Sequence, residues 1–206
     1  MSSYTTIRDP KQDTLLTPDN AALIVIDYQP VLVNSINSMP RNTLIENIVI
    51  VCQLVADFQL PIILSTVNVA TGVNKDTIHP LLEVLGNIPS YDRTCINAWE
   101  DKNFNEAVKA MGRKKLIMTA LWTEACLTFP ALDALREGFE VFPVVDAVGG
   151  TSLLAHETGL RRIEQAGAQL ISITQLACEL QRDWNRKDTV PFLVKALRAN
   201  GSFLNI

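Results

Sequence analysis

Lys115-Leu-Ile-Met-Thr-Ala-Leu121 runs without a break into Trp122-Thr-Glu-Ala-Cys126 and then into Leu127-Thr-Phe-Pro-Ala-Leu-Asp-Ala-Leu135. The first run is short and apolar, and reads as a buried strand; the third has the spacing of a helix. A strand passing straight into a helix is the repeating unit of a parallel α/β sheet. It sets Cys126 at the mouth of the connecting turn. Free backbone amides and the helix dipole there favour a thiolate, so Cys126 reads as a nucleophile. The plainer alternative is a small hydrophobe in the first turn of a core helix.

Outward from this unit the same alternation continues. Short apolar runs at 22–26, 62–66, 91–93, 141–145 and 170–173 join 116–120 to make six expected strands. Between the first two, residues 42–58 place Leu44, Ile45, Ile48, Val51, Val55 and Phe58 on one helical stripe. Gly112, Gly138 and Gly167 each follow a helical segment and precede a strand, as helix-ending glycines do. The fold class this predicts is α/β: a three-layer α/β/α, Rossmann-like arrangement around a mainly parallel six-stranded sheet. No repeat or linker divides the 206 residues, so one domain is expected over 1–206, with a helical extension over 176–206. Thr189-Val-Pro191 marks a helix start in that extension. The apolar Phe192-Leu-Val-Lys-Ala-Leu197 packs either on its own domain or on another subunit.

Composition excludes several classes. With a net charge of −4 and 18 dispersed basic residues, the chain offers no patch for nucleic acid. No apolar run approaches the roughly 20 residues that span a bilayer, and the polar start Met1-Ser-Ser-Tyr-Thr-Thr-Ile-Arg-Asp9 does not read as a signal peptide, so a cytoplasmic protein is expected. Cys52, Cys95, Cys126 and Cys178 are far apart and form no disulfide framework or zinc motif. With only His79 and His156 as histidines, no metal is expected, and no cofactor motif is present.

In open α/β sheets ligands bind at the carboxyl ends of the strands. Three reactive residues fall there. Asp27 ends Ala22-Leu-Ile-Val-Ile-Asp27, where partial desolvation raises its proton affinity and suits it to exchange a proton with a thiol. Arg93, in Tyr91-Asp-Arg-Thr-Cys-Ile-Asn-Ala-Trp99, stays protonated and can hold a carboxylate and a thiolate in place. Cys126 is the third. Asn68, Asn97, Trp99 and Phe129 are candidate substrate contacts, although aromatic residues in such settings are more often core. Cys52 and Cys178 are assigned to packing, Cys95 to a small residue under the site, and His156 to a structural hydrogen bond.

Together these segments resemble the isochorismatase-like cysteine hydrolase superfamily, and within it the YcaC-like branch. The resemblance rests on Leu23-Ile-Val-Ile-Asp-Tyr-Gln29, Arg93 with Asn97-Ala-Trp99, Thr119-Ala-Leu-Trp-Thr-Glu-Ala-Cys126, Val145-Asp-Ala-Val-Gly-Gly150, His156 and Gln165-Ala-Gly-Ala168, over roughly residues 20–175. It implies a small-molecule hydrolase, a homo-oligomer (tetramer or octamer), and an Asp, Lys, Cys triad. It also implies a cis peptide at Leu121-Trp122 and an oxyanion hole formed by the amides of Trp122 and Cys126. The chain departs from the pattern by carrying Arg93 where most of the superfamily has lysine. Its stretch Val67-Asn-Val-Ala-Thr-Gly-Val-Asn-Lys75 also lacks the metal-binding aspartate and histidine cluster of the nicotinamidases. The expected activity is metal-independent hydrolysis of a small amide or related C–N compound through a thioester. An isochorismatase-type ether hydrolase and a thiol redox sensor or non-catalytic assembly protein are the alternatives.

Overall fold

The computed structural model describes residues 9–203; apart from Asp9, the polar start lies outside them. Its elements, in chain order, are β1 (Ala21–Ile26), α1 (Pro30–Asn34), α2 (Arg41–Asp57), β2 (Ile62–Val67), α3 (His79–Leu85), β3 (Ser90–Arg93), α4 (Lys102–Ala110), β4 (Lys115–Ala120), α5 (Thr128–Arg136), β5 (Glu140–Pro143), α6 (Leu153–Gln165), α7 (Ile173–Gln181) and α8 (Val190–Ala199). A π-helical turn, Thr123–Leu127, sits between β4 and α5.

The sheet is parallel with strand order β3-β2-β1-β4-β5. β1 is central and buried at every position, because helices cover both faces. The two-residue period of a strand divides its side chains between two cores. Leu23 and Val25 pack with α2, α7 and α8, whereas Ile24 and Ile26 pack with α4, α5 and α6. The glycines expected to end helices do so: Gly112, Gly138 and Gly167 take φ of 64°, 87° and 109°.

Among the described residues the sheet has five strands, not six. Segment 170–173 begins to pair beside β5, with Ile171 N–H donating to Pro143 O and Val145 N–H donating to Ile171 O. Pairing stops at an isolated bridge because Ser172 caps α7 and both Asp146 carboxylate oxygens take the Ile173 amide. The chain is committed to helix before a strand can form.

The C-terminal helix packs on its own chain. Leu193, Ala196 and Leu197 join the core, and Phe192 meets Phe58 edge-on at 5.6 Å between ring centroids. Among the described residues no helix is long and apolar enough to cross a membrane.

Candidate active site

Strand order reverses around β1: the chain runs outward through β2 and β3, then returns to β4 on the other side. That is the switch point at which an open α/β sheet leaves a crevice. Asp27 follows β1 and Cys126 follows β4, so the two flank it. Register sets their heights. Ile26 lies beside Ser65 on one side and Ala120 on the other, and Asp27 N–H donates to Ser65 O. Asp27 itself takes a left-handed backbone, φ 63°.

Arg93 ends β3, two strands away from Asp27, and its long side chain crosses β2 to reach the carboxylate. Nη1 donates to Asp27 Oδ1 and Nη2 to Oδ2, both at 2.7 Å. Along the way Nη1 also donates to Ser65 Oγ at 3.1 Å and to Thr66 O at 3.0 Å, while Nη2 donates to Ile96 O at 3.2 Å. Both side chains of the ion pair are 0% exposed. A two-point fork of this kind fixes the carboxylate plane as a single ammonium could not.

The Cys126 thiol sits close enough to the Asp27 carboxylate and the Trp122 backbone for both to act on its proton affinity. Burial and the Asp27 charge push the thiol up to about 12. The helix-mouth expectation of a resting thiolate is therefore corrected: a 7%-exposed sulfur beside a carboxylate keeps its proton. The geometry differs as well, because Cys126 lies in the π turn and α5 begins only at Thr128. Burial pushes Asp27 above its ordinary value against the opposing pull of Arg93. Burial works to lower Arg93, yet its hydrogen bonds with Asp27 leave it raised. The Leu121-Trp122 peptide is cis.

The structure thus brings Asp27, Arg93, Cys126 and Trp122 together. The remaining candidates have other duties. Asn97 accepts from Trp99 N–H and donates to Asp133 Oδ2 at 2.7 Å. Trp99 is core, set edge-on against Phe104 and Phe139, with its indole N–H on Glu137. Asn68 takes φ 60° and its backbone N–H donates to Arg93 O. Phe129 is half-buried on α5. His156 Nδ1 meets Thr123 Oγ1 at 2.8 Å, a structural bond as expected, and burial lowers its pKa. Cys52 is buried, Cys95 half-buried and Cys178 exposed, so the assignment of Cys178 to the core is corrected. Its side chain falls on the outer face of α7, a placement that the helical pattern did not separate from the stripe.

Three supporting residues had gone unremarked. Ser65, fully buried, donates to Tyr91 O at 2.8 Å and accepts from Arg93. Its hydroxyl within Ile62-Ile-Leu-Ser65 was the available signal. Gln29 clamps the loop after β2, accepting from Val67 N–H and donating to Val67 O and Lys75 O. Glu124 Oε1 accepts from the Thr151 amide and hydroxyl, tying the cysteine turn to the start of α6. Among the described residues no group of three or more His, Cys, Asp or Glu is placed to hold a metal.

A parallel α/β/α fold with a thiol and a carboxylate beside each other at its switch point defines a three-layer α/β protein with a candidate nucleophile in the ligand crevice. Residues 21–175 match the isochorismatase domain, and the chain belongs to the isochorismatase family. It is 38% identical over 170 residues to the probable hydrolase YcaC of Escherichia coli (strain K12), covering 82% of this chain and 81% of that one. YcaC from Pseudomonas aeruginosa, solved with hexane-2,5-diol and covalent acrylamide, superposes with a TM-score of 0.85 at 32% identity, over 91% of this chain and 92% of that one. The 1.8 Å structure of the Escherichia coli YcaC gene product, described as an octameric hydrolase of unknown specificity, gives 0.85 at 34% identity over 92% of each chain. The chain is a hydrolase of this family.

Proposed function

We propose that this hydrolase cleaves a small amide or related C–N compound through a thioester on Cys126, without a metal. The observation that carries the reading is the buried Cys126 thiol beside the buried Asp27 carboxylate, with Asp27 held from behind by the two-point Arg93 fork. With the thiol at about 12, forming a free thiolate at pH 7 costs on the order of 7 kcal/mol. The proton therefore passes to Asp27 as sulfur bonds to the substrate carbon, not beforehand.

The carbonyl oxygen becomes an oxyanion received by the Trp122 and Cys126 amides. Asp27 then gives its proton to the leaving amine, and the thioester remains. Water attacks the thioester as Asp27 takes a proton from it; collapse releases the acid and restores the thiol. Arg93 stays charged throughout and orients Asp27, so one carboxylate serves both half-reactions. A guanidinium cannot exchange protons at neutral pH, which is why the lysine-to-arginine departure moves all proton traffic to Asp27.

The covalent acrylamide in the Pseudomonas aeruginosa relative fits this reading, since acrylamide is an electrophile that thiolates attack. Four unpaired cysteines fit a reducing cytoplasm. We also infer a homo-oligomer, an octamer by likeness to the Escherichia coli protein, which sedimentation would show as eight times 22.8 kDa. The test of the activity is turnover of a panel of small amides, ureides and isochorismate by wild type and Cys126→Ala. Amide turnover lost in the variant supports the reading; turnover retained, or confined to isochorismate, defeats it.

A further inference from the structure

Around the proposed nucleophile, the charged groups are engaged with one another, shut away from solvent, or set in opposed pairs. Arg93 spends both Nη atoms on Asp27, Ser65 Oγ, Thr66 O and Ile96 O; its Nε has no partner but is buried, and no part of the side chain reaches solvent. Asp27 has both oxygens on Arg93. Asp92, next in sequence to Arg93, accepts from Thr66 Oγ1 and from the amides of Val69 and Ala70. Glu124 gives one oxygen to Thr151, and the other is shut in where a Gly150 Cβ would stand, beside His156. Lys75 and Asp76, neighbours on the clamped loop, face solvent with opposite charges.

Among the described residues a substrate carboxylate would find no accessible cation beside Cys126 that is not already opposed by an anion, and a substrate ammonium no accessible anion that is not already held. Either charge would be desolvated without a partner, which is costly. The segments that bear the site instead expose aliphatic side chains. Val31 is the second residue of α1 and is 54% exposed, Val73 lies on the loop that Gln29 clamps and is 74% exposed, and Ile96, three residues after Arg93, is 64% exposed. Trp122 adds a half-buried indole, fixed by its Nε1–H on Ser35 Oγ at 2.6 Å.

We propose that the site takes an electrically neutral substrate: an uncharged amide or related C–N compound bearing a small aliphatic group, not one that also carries a carboxylate or ammonium. This rests on Cys126 being the nucleophile. The probe is a set of methanethiosulfonates of similar size: propyl (neutral), sulfonatoethyl (anionic) and trimethylammonioethyl (cationic). In each, the cysteine sulfur bonds to the sulfenyl sulfur, methanesulfinate leaves with the old S–S pair, and the thiol proton passes to base. Peptide mass spectrometry compares rates at Cys126 with rates at exposed Cys178 in the same molecule, in high salt to screen the overall net charge of −4.

The preference for the neutral reagent over each charged one should exceed that at Cys178 by about tenfold or more. A smaller excess over either charged reagent overturns the proposal. In Asp27→Asn the guanidinium loses its anionic partner, and the anionic reagent should gain on the neutral one; no gain in a folded variant also counts against it. If Cys126 resists all three reagents, both this proposal and the nucleophile assignment fail, whereas labelling without charge selectivity defeats this proposal alone.

Discussion

Replacing Arg93 with methionine removes one half of a fully buried ion pair. The guanidinium donates to both Asp27 oxygens, to Ser65 Oγ and to the carbonyls of Thr66 and Ile96. Methionine keeps much of the volume but supplies none of these donors. Breaking a buried pair from one side costs about 3–5 kcal/mol, because the surviving charge is stranded. For a chain of this length that lowers Tm by about 6–20 °C. Asp27 can relieve part of the cost by taking up a proton, which gives the loss a pH dependence. Burial already raises Asp27 in the wild type, and losing Arg93 raises it further. A carboxyl with a raised folded-state pKa contributes stability that is fully present below its unfolded value and is lost as pH rises through the folded one. The Arg93→Met penalty should therefore be smaller at pH 5 than at pH 8. Pairing it with Asp27→Asn should recover part of the loss at pH 8. Urea unfolding at fixed protein concentration, read as a midpoint shift at constant slope, measures each term. A loss below about 1 kcal/mol at pH 8, or a loss equal at both pH values, would refute the reasoning.

Three other perturbations probe separate parts of the account. With its thiol at about 12, Cys126 should react with iodoacetamide about tenfold faster per pH unit from about pH 7 to about pH 10, and a plateau below about pH 9 would contradict that value. Gly150→Ala would set a methyl 2.5 Å from Glu124 Oε2 and 3.1 Å from the His156 Cα, so it should cost about 1–3 kcal/mol by urea unfolding; no measurable loss would mean that the α6 junction yields freely. Gln29→Ala deletes the clamp on the loop after β2, at about 1 kcal/mol per hydrogen bond, and should speed limited proteolysis within 68–77; an unchanged cleavage rate would show that other contacts hold the loop.

Much of this architecture was legible because parallel strands buried on both faces leave a plain mark. β1 is a continuous apolar run, β2 and β4 are mainly apolar, and their chain order with intervening helices implies the sheet. The sixth strand misled because Leu170-Ile-Ser-Ile173 has strand composition, while its fate was set by Asp146, which is distant in sequence and takes the Ile173 amide. Local pattern carries no record of such a competitor.

In the site, Asp27 and Cys126 could be read from position alone, since residues just past strand ends converge at a switch point. The state of the thiol could not. A turn mouth suggests stabilising amides, but burial and a neighbouring carboxylate prevail once tertiary contacts form. Trp99 and Asn97 looked available because their neighbour Arg93 is in the site; their partners Phe104, Phe139, Asp133 and Glu137 lie on other elements. Ser65 was overlooked because a lone hydroxyl in a strand carries no mark of the arginine that will cross it.

The central claim is that Cys126 carries the acyl group between two half-reactions run by Asp27. Its most direct test is intact-protein and peptide mass spectrometry of enzyme quenched in acid during turnover of a small neutral amide. The account predicts a mass increase equal to the acyl group, confined to the peptide containing Cys126, discharged by hydroxylamine and absent from Cys126→Ala. Steady turnover with no adduct on Cys126, or an adduct elsewhere in the chain, would contradict it.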